Sequence, residues 1–275
     1  MIAMTQLISE SEAILNAAEL FQAGRLGEAI SAAVEEVKDQ PGDLSRRTLL
    51  FSLLCFGGDL ERARKQLDVI GNQVALSEAP AYVNVLAAET SRRHVMSEGL
   101  RPRFLVDPPA RIEKYLQALD RMRANQMTDA KSLLDAAEEE RLELPGELNN
   151  VAFDDFADAD DITRSVFEFT QGRDYFWVPF DQIAHLQVVV PNPIRPQDLY
   201  SAPCQIVLKN GVTQRGFTPV LYVDSFRESN ANLQLGHGTE FHDGGTGVFR
   251  GTGRKQFVAG EADPTPLDLK DVTFS

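Results

Sequence analysis

The sequence predicts an α+β protein, with an array of helical hairpins over residues 1–145 and a small β-rich domain after it. The first observation is a repeat. Gly24-Arg-Leu-Gly-Glu-Ala29 returns as Gly58-Asp-Leu-Glu-Arg-Ala63, 34 residues later, with glycine, leucine and alanine in register. This period is typical of tetratricopeptide-like arrays, whose hairpins stack because no single hairpin can bury its apolar face. The second observation is a series of short β-type runs beyond residue 161, separated by proline or glycine.

The first predicted hairpin contains a helix over residues 5–22 and a second helix from Leu26 to Val37. Gly24 separates the two helices. Pro41-Gly42-Asp43 ends the hairpin and supplies a carboxylate that can cap the next helix. Apolar residues at helical spacing predict the first helix. They are Leu7, Ile8, Ala13, Ile14, Ala17, Ala18 and Phe21.

The second predicted hairpin pairs Leu44–Phe56 with Leu60–Ile70 around Gly57-Gly58. Its first helix is apolar on nearly every side, as expected for a helix at the centre of a stack. A degenerate third copy of the repeat begins at Asn125. Two further helices are predicted, Pro80–Met96 and Ala130–Leu142.

The remaining chain predicts an acidic linker and a β-rich domain. Residues 146–161 are rich in aspartate and glutamate, which favours a solvated linker. Residues 162–275 predict five or six strands in an SH3-like barrel. Within it, Asn210-Gly211 predicts a hairpin with a type I′ turn, and residues 267–272 predict a closing edge strand. The other predicted strands are Tyr175–Val178, Ala184–Val190, Gln205–Lys209 and Thr218–Val223.

Charge and composition narrow the class of partner. The net charge of −14 repels a phosphate backbone, so no nucleic acid is expected, and an acidic surface favours a basic protein segment. The chain shows no signal peptide and no apolar run of about 18 or more residues, so no membrane contact is expected. Cys55 and Cys204 lie far apart without a metal-binding pattern. Reduced cysteines and a cytoplasmic location are therefore expected.

Two acidic or glycine-rich segments invite a chemical interpretation but lack part of the required pattern. Asp158-Ala-Asp160-Asp161 could begin a calcium loop, yet Ile162 and Thr163 stand where an EF-hand needs an oxygen ligand and a glycine. The segment 244–253 contains five glycines but not the GxxxxGK[ST] form of a phosphate-binding loop. A mobile surface loop is the better interpretation of this segment.

A third segment, His237-Gly-Thr-Glu240-Phe-His242, places two imidazoles and a carboxylate within six residues. Zinc motifs with this composition lie on a helix, and this segment is rich in glycine. A Cys–His dyad is weaker still, because Cys55 lies in an apolar helix. The sequence therefore predicts no catalytic residue, no metal and no cofactor, and the His237-Glu240-His242 segment stays open only as an alternative.

Several spaced motifs occur in a fixed order along the chain. The longest runs from Arg47 to Leu67 and reads Arg-Thr-Leu-Leu-Phe-Ser-Leu-Leu-Cys-Phe-Gly-Gly-Asp-Leu-Glu-Arg-Ala-Arg-Lys-Gln-Leu. The later motifs are Tyr82, Glu89, Arg92 and Arg93, then Gly99 and Pro102, then Asp158-Ala-Asp160, Glu168, Gly172–Pro179 and Asp198-Leu199. Together they resemble the ImpE/TagJ (SciE-type) family of type VI secretion accessory proteins, over nearly the whole chain. The chain departs from the family at Tyr200, where tryptophan is usual, and lacks the Gly-Pro before Glu168.

The resemblance implies a non-enzymatic adaptor. It implies binding to the N-terminal amphipathic helix of the small contractile-sheath subunit, and assistance to the ClpV-type AAA+ ATPase that recycles the sheath. A helix lying in an apolar groove is the binding mode that a helical array favours. The candidate partner-binding or family-motif residues are Arg47, Phe51, Asp59, Arg62, Gln66, Tyr82, Glu89, Arg92, Arg93, Tyr175 and Trp177.

Two alternatives to this adaptor remain. One is a metal-dependent hydrolase centred on the histidine segment, and the other is a generic helix-binding chaperone with low selectivity. The roles of individual residues are also open. The arginines could bind carboxylates of a partner or form salt bridges with Asp59, Glu61 and Glu89. Trp177 could lie in the barrel core, or it could form an exposed binding site beside Tyr175.

Overall fold

The structure, a computed structural model, describes residues 15–74 and 78–275. Its N-terminal part is helical, and consecutive helices from α1 to α5 pack against one another. Connections of a few residues between packed helices make neighbours run in opposite directions. The described helices of this part are α1 Ala17–Gln22, α2 Leu26–Asp39, α3 Leu44–Phe56, α4 Leu60–Gln73, α5 Ala79–Glu98, α6 Arg111–Arg123 and α7 Met127–Glu139.

Capping groups and small residues explain where these helices begin and how they pack. The Asp43 carboxylate accepts hydrogen bonds from the first backbone N–H groups of α3, and Asp59 does the same for α4. Ala29, Ala33 and Ala63 are fully or almost fully buried, so the small side chains of the repeat lie at helix–helix contacts. The sequence pattern did not predict α6.

The first helix differs from its prediction. Asn16 has an extended backbone and forms a capping box with Glu19, so α1 begins at Ala17. The predicted start at residue 5, with Leu7, Ile8, Ala13 and Ile14, lies outside the described residues. The helix that the structure describes is therefore a short one with a sharp beginning.

The C-terminal part is built on an antiparallel sheet of eight strands in the order β2-β1-β12-β6-β7-β8-β4-β5. Two small sheets, β10-β9 and β11-β3, pack beside it, with a short helix α8, Ala231–Gln234. The described strands are β1 Gly146–Leu148, β2 Val151–Phe153, β3 Phe156–Asp158, β4 Val166–Gln171, β5 Asp174–Pro179, β6 Ile183–Val188, β7 Ser201–Leu208, β8 Thr213–Pro219, β9 Thr239–His242, β10 Arg250–Gly253, β11 Phe257–Ala259 and β12 Val272–Phe274.

Three predictions for this part require correction. Residues 146–161 are not a solvated acidic linker, because they supply β1, β2 and β3, and both Asp158 and Asp160 are buried with cationic partners. The edge strand predicted at residues 267–272 is displaced, because Pro266–Asp268 is a 3-10 turn and β12 begins at Val272. This strand also lies inside the sheet, where it pairs with both β1 and β6. The main sheet has more strands than the predicted small barrel, and β2 and β5 are the two ends of its strand order.

The hairpin at Asn210-Gly211 is confirmed, but its turn type is not. Strands β7 and β8 pair on either side of it. Gly211 has φ +85°, whereas Asn210 is not among the residues with positive φ, which a type I′ turn would require. The Gly211 N–H donates to Leu208 O at 2.8 Å, which closes a tight turn before the left-handed glycine.

Helices and sheet share their buried apolar side chains. One cluster joins α1 to α5 with Leu221 and Leu235. Another joins α5, α6 and α7 with Tyr175 and Trp177 of β5. A third lies mostly within the sheet and is rich in phenylalanine. The helical part and the sheet therefore hold each other in place across a wide contact.

Candidate binding groove

An apolar groove lies between the helical part and a 3-10 turn, Pro196–Leu199, that precedes β7. Its volume is about 290 Å³. The helical wall begins with Leu44, Thr48 and Phe51, which share one face of α3 because they are spaced by four and three residues. The C-terminal half of α4, Val74 directly after it and the first turn of α5 complete this wall. Their lining residues are Leu67, Ile70, Val74, Ala79 and Tyr82.

The opposite wall consists of Arg195 and Gln197, and Glu78, which binds Arg195, also lines the groove. A second cavity of about 320 Å³ shares Leu44, Thr48, Arg195 and Gln197 with the groove and continues along Ser45 and Leu49 of α3. The first half of α3 is therefore open on both sides of the turn. An elongated apolar ligand could lie along it.

Hydrogen bonds fix the turn against the helices. The Arg195 guanidinium donates to the Asp198 carboxylate from Nε at 2.8 Å, and to Glu78 Oε2 from Nη1 at 2.7 Å. The Tyr82 hydroxyl donates to Asp198 Oδ1 at 3.3 Å. The hydrogen bond to Asp198 raises the pKa of the Arg195 guanidinium, so this group stays charged. The polar wall of the groove is thus held in position before any ligand arrives.

Gln197 leaves one polar atom without a partner. The residue is 7% exposed, and its Oε1 is buried with no hydrogen-bond donor among the described residues. A buried acceptor without a donor costs about 1–3 kcal/mol. A ligand that donates an N–H or O–H at this position would remove that cost.

The structure brings two of the predicted site residues, Phe51 and Tyr82, into the groove wall and pairs two more, Arg47 and Gln66, next to it. Phe51 and Tyr82 lie in its wall, with their ring centroids 5.5 Å apart in an edge-to-face contact. Arg47 lies one helical turn from both Leu44 and Phe51, and its Nη1 donates to Gln66 Oε1 at 2.8 Å. The Arg47 Nε donates to Pro41 O. Arg47 therefore puts a positive charge beside the groove while its hydrogen-bond partners are neutral oxygens.

A second set of predicted residues is buried where α5 meets the sheet. Arg92, 3% exposed, binds the Glu168 carboxylate of β4 from Nε at 2.7 Å and from Nη2 at 3.1 Å. The same Nη2 donates to Leu221 O at 2.9 Å, and Nη1 reaches Glu89 Oε2 at 3.3 Å. The Arg92 side chain therefore joins the helical part to the sheet.

Lys255 extends this set of charges into the small sheet. Its Nζ lies 2.7 Å from Glu168 Oε2 and also binds Asp158 Oδ2. Burial alone would raise the pKa of Glu168, but Arg92 and Lys255 hold it well below its usual range. Burial raises the pKa of Asp158 in spite of Lys255. The network places Glu168 as a carboxylate between two cations.

Tyr175 and Trp177 belong to the same network, and their interpretation as an exposed binding site is wrong. Both are almost completely buried. The Trp177 Nε1–H donates to the Tyr175 hydroxyl at 2.7 Å, and that hydroxyl donates to Glu168. Burial raises the pKa of Tyr175, with a further increase from Glu168. Arg92 and Glu89 are likewise too buried for a partner to contact.

The other predicted arginines lie in local contacts. Arg93 donates to Glu89 Oε1 at 3.1 Å and to Gly58 O at 3.1 Å, and its guanidinium lies 4.1 Å from the Phe226 ring centre. The exposed Arg62 pairs with Asp59, which also caps α4. Salt bridges with Asp59 and Glu89, one of the two interpretations of the sequence, are therefore confirmed for Arg62, Arg92 and Arg93. No side-chain salt bridge to Glu61 is formed among the described residues.

The histidine segment forms no metal-binding group in the structure. His242 and Glu240 lie on β9, 3.4 Å apart and about half exposed, and burial lowers the pKa of His237. Within residues 15–74 and 78–275, no group of three or more His, Cys, Asp or Glu side chains is arranged to hold a metal ion. None of the helices of these residues is long and apolar enough to cross a membrane.

The sequence did not point to Gln197 or Lys255. Gln197 reaches the groove only through the fold, because its partners across it lie more than 100 residues earlier in the chain. Lys255 follows a glycine-rich segment that reads as a loop, and nothing in that pattern indicates burial. Glu168 and Asp198 belong to sequence motifs, but the sequence does not show which residues bind them. The structure shows that Arg92 and Lys255 bind Glu168, and that Arg195 and Tyr82 bind Asp198.

The geometry defines an α+β protein whose helices and sheet meet in a buried charged network and leave an apolar groove open beside it. A family model described as ImpE protein matches residues 150–273. The type VI secretion system accessory component TagJ of Pseudomonas aeruginosa is 31% identical over 260 residues, which cover 94% of this chain and 90% of the relative. The chain therefore belongs to the ImpE/TagJ family of type VI secretion accessory components.

The fold itself has a counterpart of known structure. The crystal structure of protein VPA1032 from Vibrio parahaemolyticus superposes with a TM-score of 0.85 at 23% identity. The match covers 94% of this chain and 97% of that one. The similarity extends over the helical part and the sheet together.

Proposed function

We propose that the protein is a non-enzymatic adaptor that binds an amphipathic helix of the small sheath subunit of a type VI secretion system. In this proposal the groove along α3 is the binding site. The bound helix brings the sheath to the AAA+ ATPase that recycles it, so the adaptor acts by position and carries out no chemistry of its own.

The observation that carries the proposal is the groove itself. An amphipathic helix presents apolar side chains at spacings of three and four residues, and the wall formed by Leu44, Thr48 and Phe51 has the same spacing. The unpaired Oε1 of Gln197 offers an acceptor to a polar side chain at the edge of that apolar stripe. The groove therefore has both of the features that a helix in a groove uses, an apolar wall and a fixed polar contact.

Charge supports a helix with a basic flank. The chain carries a net charge of −14, which raises the rate of encounter with a cationic segment. Arg47 lies beside the groove with neutral hydrogen-bond partners, so the apolar stripe of the guest would be bordered by an acidic or polar residue on that side. The basic flank and the acidic or polar border together would set the orientation of the guest helix in the groove.

The test is a titration of the protein with a fluorescent peptide of the sheath helix and with a scrambled peptide of equal composition. Val74→Glu places a charge in the groove wall, and Val212→Glu places the same charge on the β7–β8 hairpin, at similar exposures of 39% and 44%. We expect saturable binding of the native peptide that Val74→Glu weakens at least tenfold, about 1.4 kcal/mol, and that Val212→Glu leaves unchanged.

Other outcomes separate the competing functions. Equal binding of the native and scrambled peptides would favour a generic helix-binding chaperone. An equal loss of affinity in Val74→Glu and Val212→Glu would show that binding depends on the overall surface charge and not on the groove. An absence of binding to either peptide would contradict the proposal. The hydrolase alternative has no support from the histidine segment, whose side chains form no metal-holding group with other described residues.

A further inference from the structure

The Gln197 side chain lies where the two cavities along α3 meet. It lines the groove of about 290 Å³ and also the second cavity of about 320 Å³. The residue is 7% exposed, and its backbone is fixed in the 3-10 turn, where Gln197 O accepts from the Tyr200 N–H at 3.2 Å. The fold therefore holds this carboxamide in one place, between two spaces that a ligand can enter.

Neither end of this carboxamide has a hydrogen bond inside the protein. Its Oε1 is buried without a donor, and the Gln197 side chain forms no hydrogen bond with the described residues. The neighbouring side chains in the turn differ, because Arg195 donates to both oxygens of Asp198, from Nε at 2.8 Å and from Nη2 at 2.9 Å. Gln197 thus offers an acceptor and a donor, side by side, to a group that enters the cavities.

Among side chains, a carboxamide is the group that completes both ends at once. An ammonium or guanidinium group donates and does not accept, whereas an ionised carboxylate accepts and does not donate. A hydroxyl has a single oxygen, so it reaches one end of Gln197 in good geometry. The amide of asparagine or glutamine has an acceptor and a donor at the same spacing as Gln197. It therefore forms two reciprocal N–H···O bonds, and this pairing is the same in either orientation of the Gln197 amide.

Backbone groups and charges of a bound helix do not replace this side chain. Inside a helix each N–H and C=O group is already paired with another backbone group, so a helical guest contacts Gln197 through a side chain. Arg195 lines both cavities, and its hydrogen bond to Asp198 raises the pKa of the guanidinium. Glu78 lines the groove with the opposite charge. Since a guest charge of either sign meets a like charge here, a neutral polar group is favoured.

The cavities on the two sides of Gln197 define the residues around the carboxamide of the guest. Leu44 and Thr48 line both cavities, Phe51 lines the groove, and Leu49 lines the second cavity. On a guest helix, residues three or four positions apart lie on one face, with Cβ atoms about 5–6 Å apart. Apolar side chains one helical turn before and one turn after the carboxamide would therefore enter the two cavities.

We propose that Gln197 selects a guest helix in which an asparagine or glutamine stands between two apolar residues, each one helical turn away. The application to the sheath helix rests on the proposed function, whereas the pairing with Gln197 does not. A guest that lacks the amide leaves Gln197 as unpaired as it is in the free protein. Gln197 is in this way the specificity-determining residue of the groove.

The first test uses designed helical peptides, so its result does not depend on the sheath. Each peptide is alanine-rich and carries leucine at positions i and i+7, with glutamine, methionine, glutamate or lysine at position i+4. In a fluorescence titration, we expect the protein to bind the glutamine peptide about tenfold more tightly than each of the others, because glutamine alone forms both hydrogen bonds. Equal affinities, or no binding by any of the peptides, would overturn the inference.

A double-mutant cycle assigns the preference for glutamine to Gln197. In Gln197→Met this preference should disappear, because the methionine side chain does not pair with an amide. Gln187→Met, on the exposed side of β6, is the matched control and should retain the preference. A preference of the same size in Gln197→Met and in the unaltered protein would overturn the inference, because another residue would then recognise the amide.

The sheath peptide is tested in the same way, with each of its asparagines and glutamines replaced by methionine in turn. We expect one replacement to weaken binding to the unaltered protein about tenfold, and to change binding to Gln197→Met less than about twofold. Binding of a sheath peptide in which no carboxamide is coupled to Gln197 would overturn the inference and leave the proposed function in place. A glutamine preference among the designed peptides without binding of the sheath peptide would contradict the proposed function and support the pairing.

Discussion

At the scale of single residues, the groove contains Gln197, a residue with one polar atom that the folded protein leaves unpaired. Gln197 Oε1 is buried, and no donor among the described residues reaches it. Its neighbours Arg195 and Asp198 are fully engaged with each other and with Tyr82. A stable fold normally pairs such an acceptor. Of the buried side-chain atoms left unpaired among the described residues, Gln197 Oε1 belongs to a residue that lines the groove.

Gln197→Met tests this role because methionine has nearly the same length and no polar atom to satisfy. We expect the free energy of unfolding in urea to stay the same or to rise by about 1–2 kcal/mol, since an unpaired acceptor is removed. Affinity for the sheath peptide should fall by up to about tenfold, because one hydrogen bond is lost. Gln187→Met, on the exposed side of β6, is the control. Unchanged affinity in Gln197→Met would remove Gln197 from the site.

At the scale of elements, the repeated glycines do more than end helices. Gly58 has φ +78°, and a Cβ placed on it would lie 2.2 Å from the Phe226 ring. The turn between α3 and α4 thus lies directly against the C-terminal part, where Arg93 holds both Gly58 O and the face of Phe226. Gly58, which is part of the sequence repeat, is therefore also a contact between the helical part and the C-terminal part.

Gly58→Ala should therefore destabilise the folded protein by more than the strain of a left-handed backbone at this position would explain. Gly172 is the matched control, because it has φ +57° but nothing within 4 Å of an added Cβ. We expect Gly172→Ala to lower the free energy of unfolding by about 1–2 kcal/mol through strain, and Gly58→Ala to lower it by at least about 1 kcal/mol more through the clash. Urea unfolding of both variants measures the difference. Equal losses would show that Phe226 moves aside without cost.

At the scale of the whole molecule, the helical part and the sheet are joined by charges rather than by apolar contacts alone. Arg92 and Lys255 hold Glu168 from the two sides, at 2.7 Å each. The network also includes Tyr175 and Trp177 of β5. Removal of one member leaves the others buried and unpaired, so the network is sensitive to a single change.

Arg92→Ala measures this sensitivity. We expect a loss of about 3–5 kcal/mol in the free energy of unfolding, because the Glu168 carboxylate loses a buried cationic partner. The exposed pair Arg62–Asp59 is the control, and Arg62→Ala should cost about 0–1 kcal/mol. Similar losses in the two variants would contradict a structural role for the network. Loss of near-ultraviolet circular dichroism in Arg92→Ala, with helical content retained, would indicate that the contact around Trp177 has opened.

The sequence predicted what depends on local pattern. The boundaries of α3 and the start of α4 follow from their caps and apolar spacing, and the start of α2 follows from Gly24 and its apolar spacing. The hairpin at Asn210-Gly211 follows from its turn residues. The acidic segment at 158–161 was misread because its cationic partners, Arg250 and Lys255, are about 90 residues away. In the sequence alone, a buried charged residue whose partner is remote along the chain cannot be distinguished from a charged residue exposed to solvent.

The candidate site was only half predictable for the same reason. Arg47, Phe51, Gln66 and Tyr82 lie in helices whose spacing is visible in the sequence. The structure places Phe51 and Tyr82 in the groove wall and pairs Arg47 with Gln66 next to it. Glu89, Arg92, Tyr175 and Trp177 have equally suggestive types, yet burial makes them structural. Aromatic and charged residues can bind a partner or support the fold, and only the packing of the chain shows which of the two roles a given residue has.

The central claim is that a partner helix binds along the first half of α3. Hydrogen–deuterium exchange with and without saturating sheath peptide tests it most directly, because it locates contact without altering the protein. We expect slower amide exchange in residues 44–51 and 195–199, with α6 and α7 unchanged. Protection confined to α6, α7 or the β9–β10 region, with residues 44–51 unaffected at saturation, would contradict the account and move the binding site elsewhere.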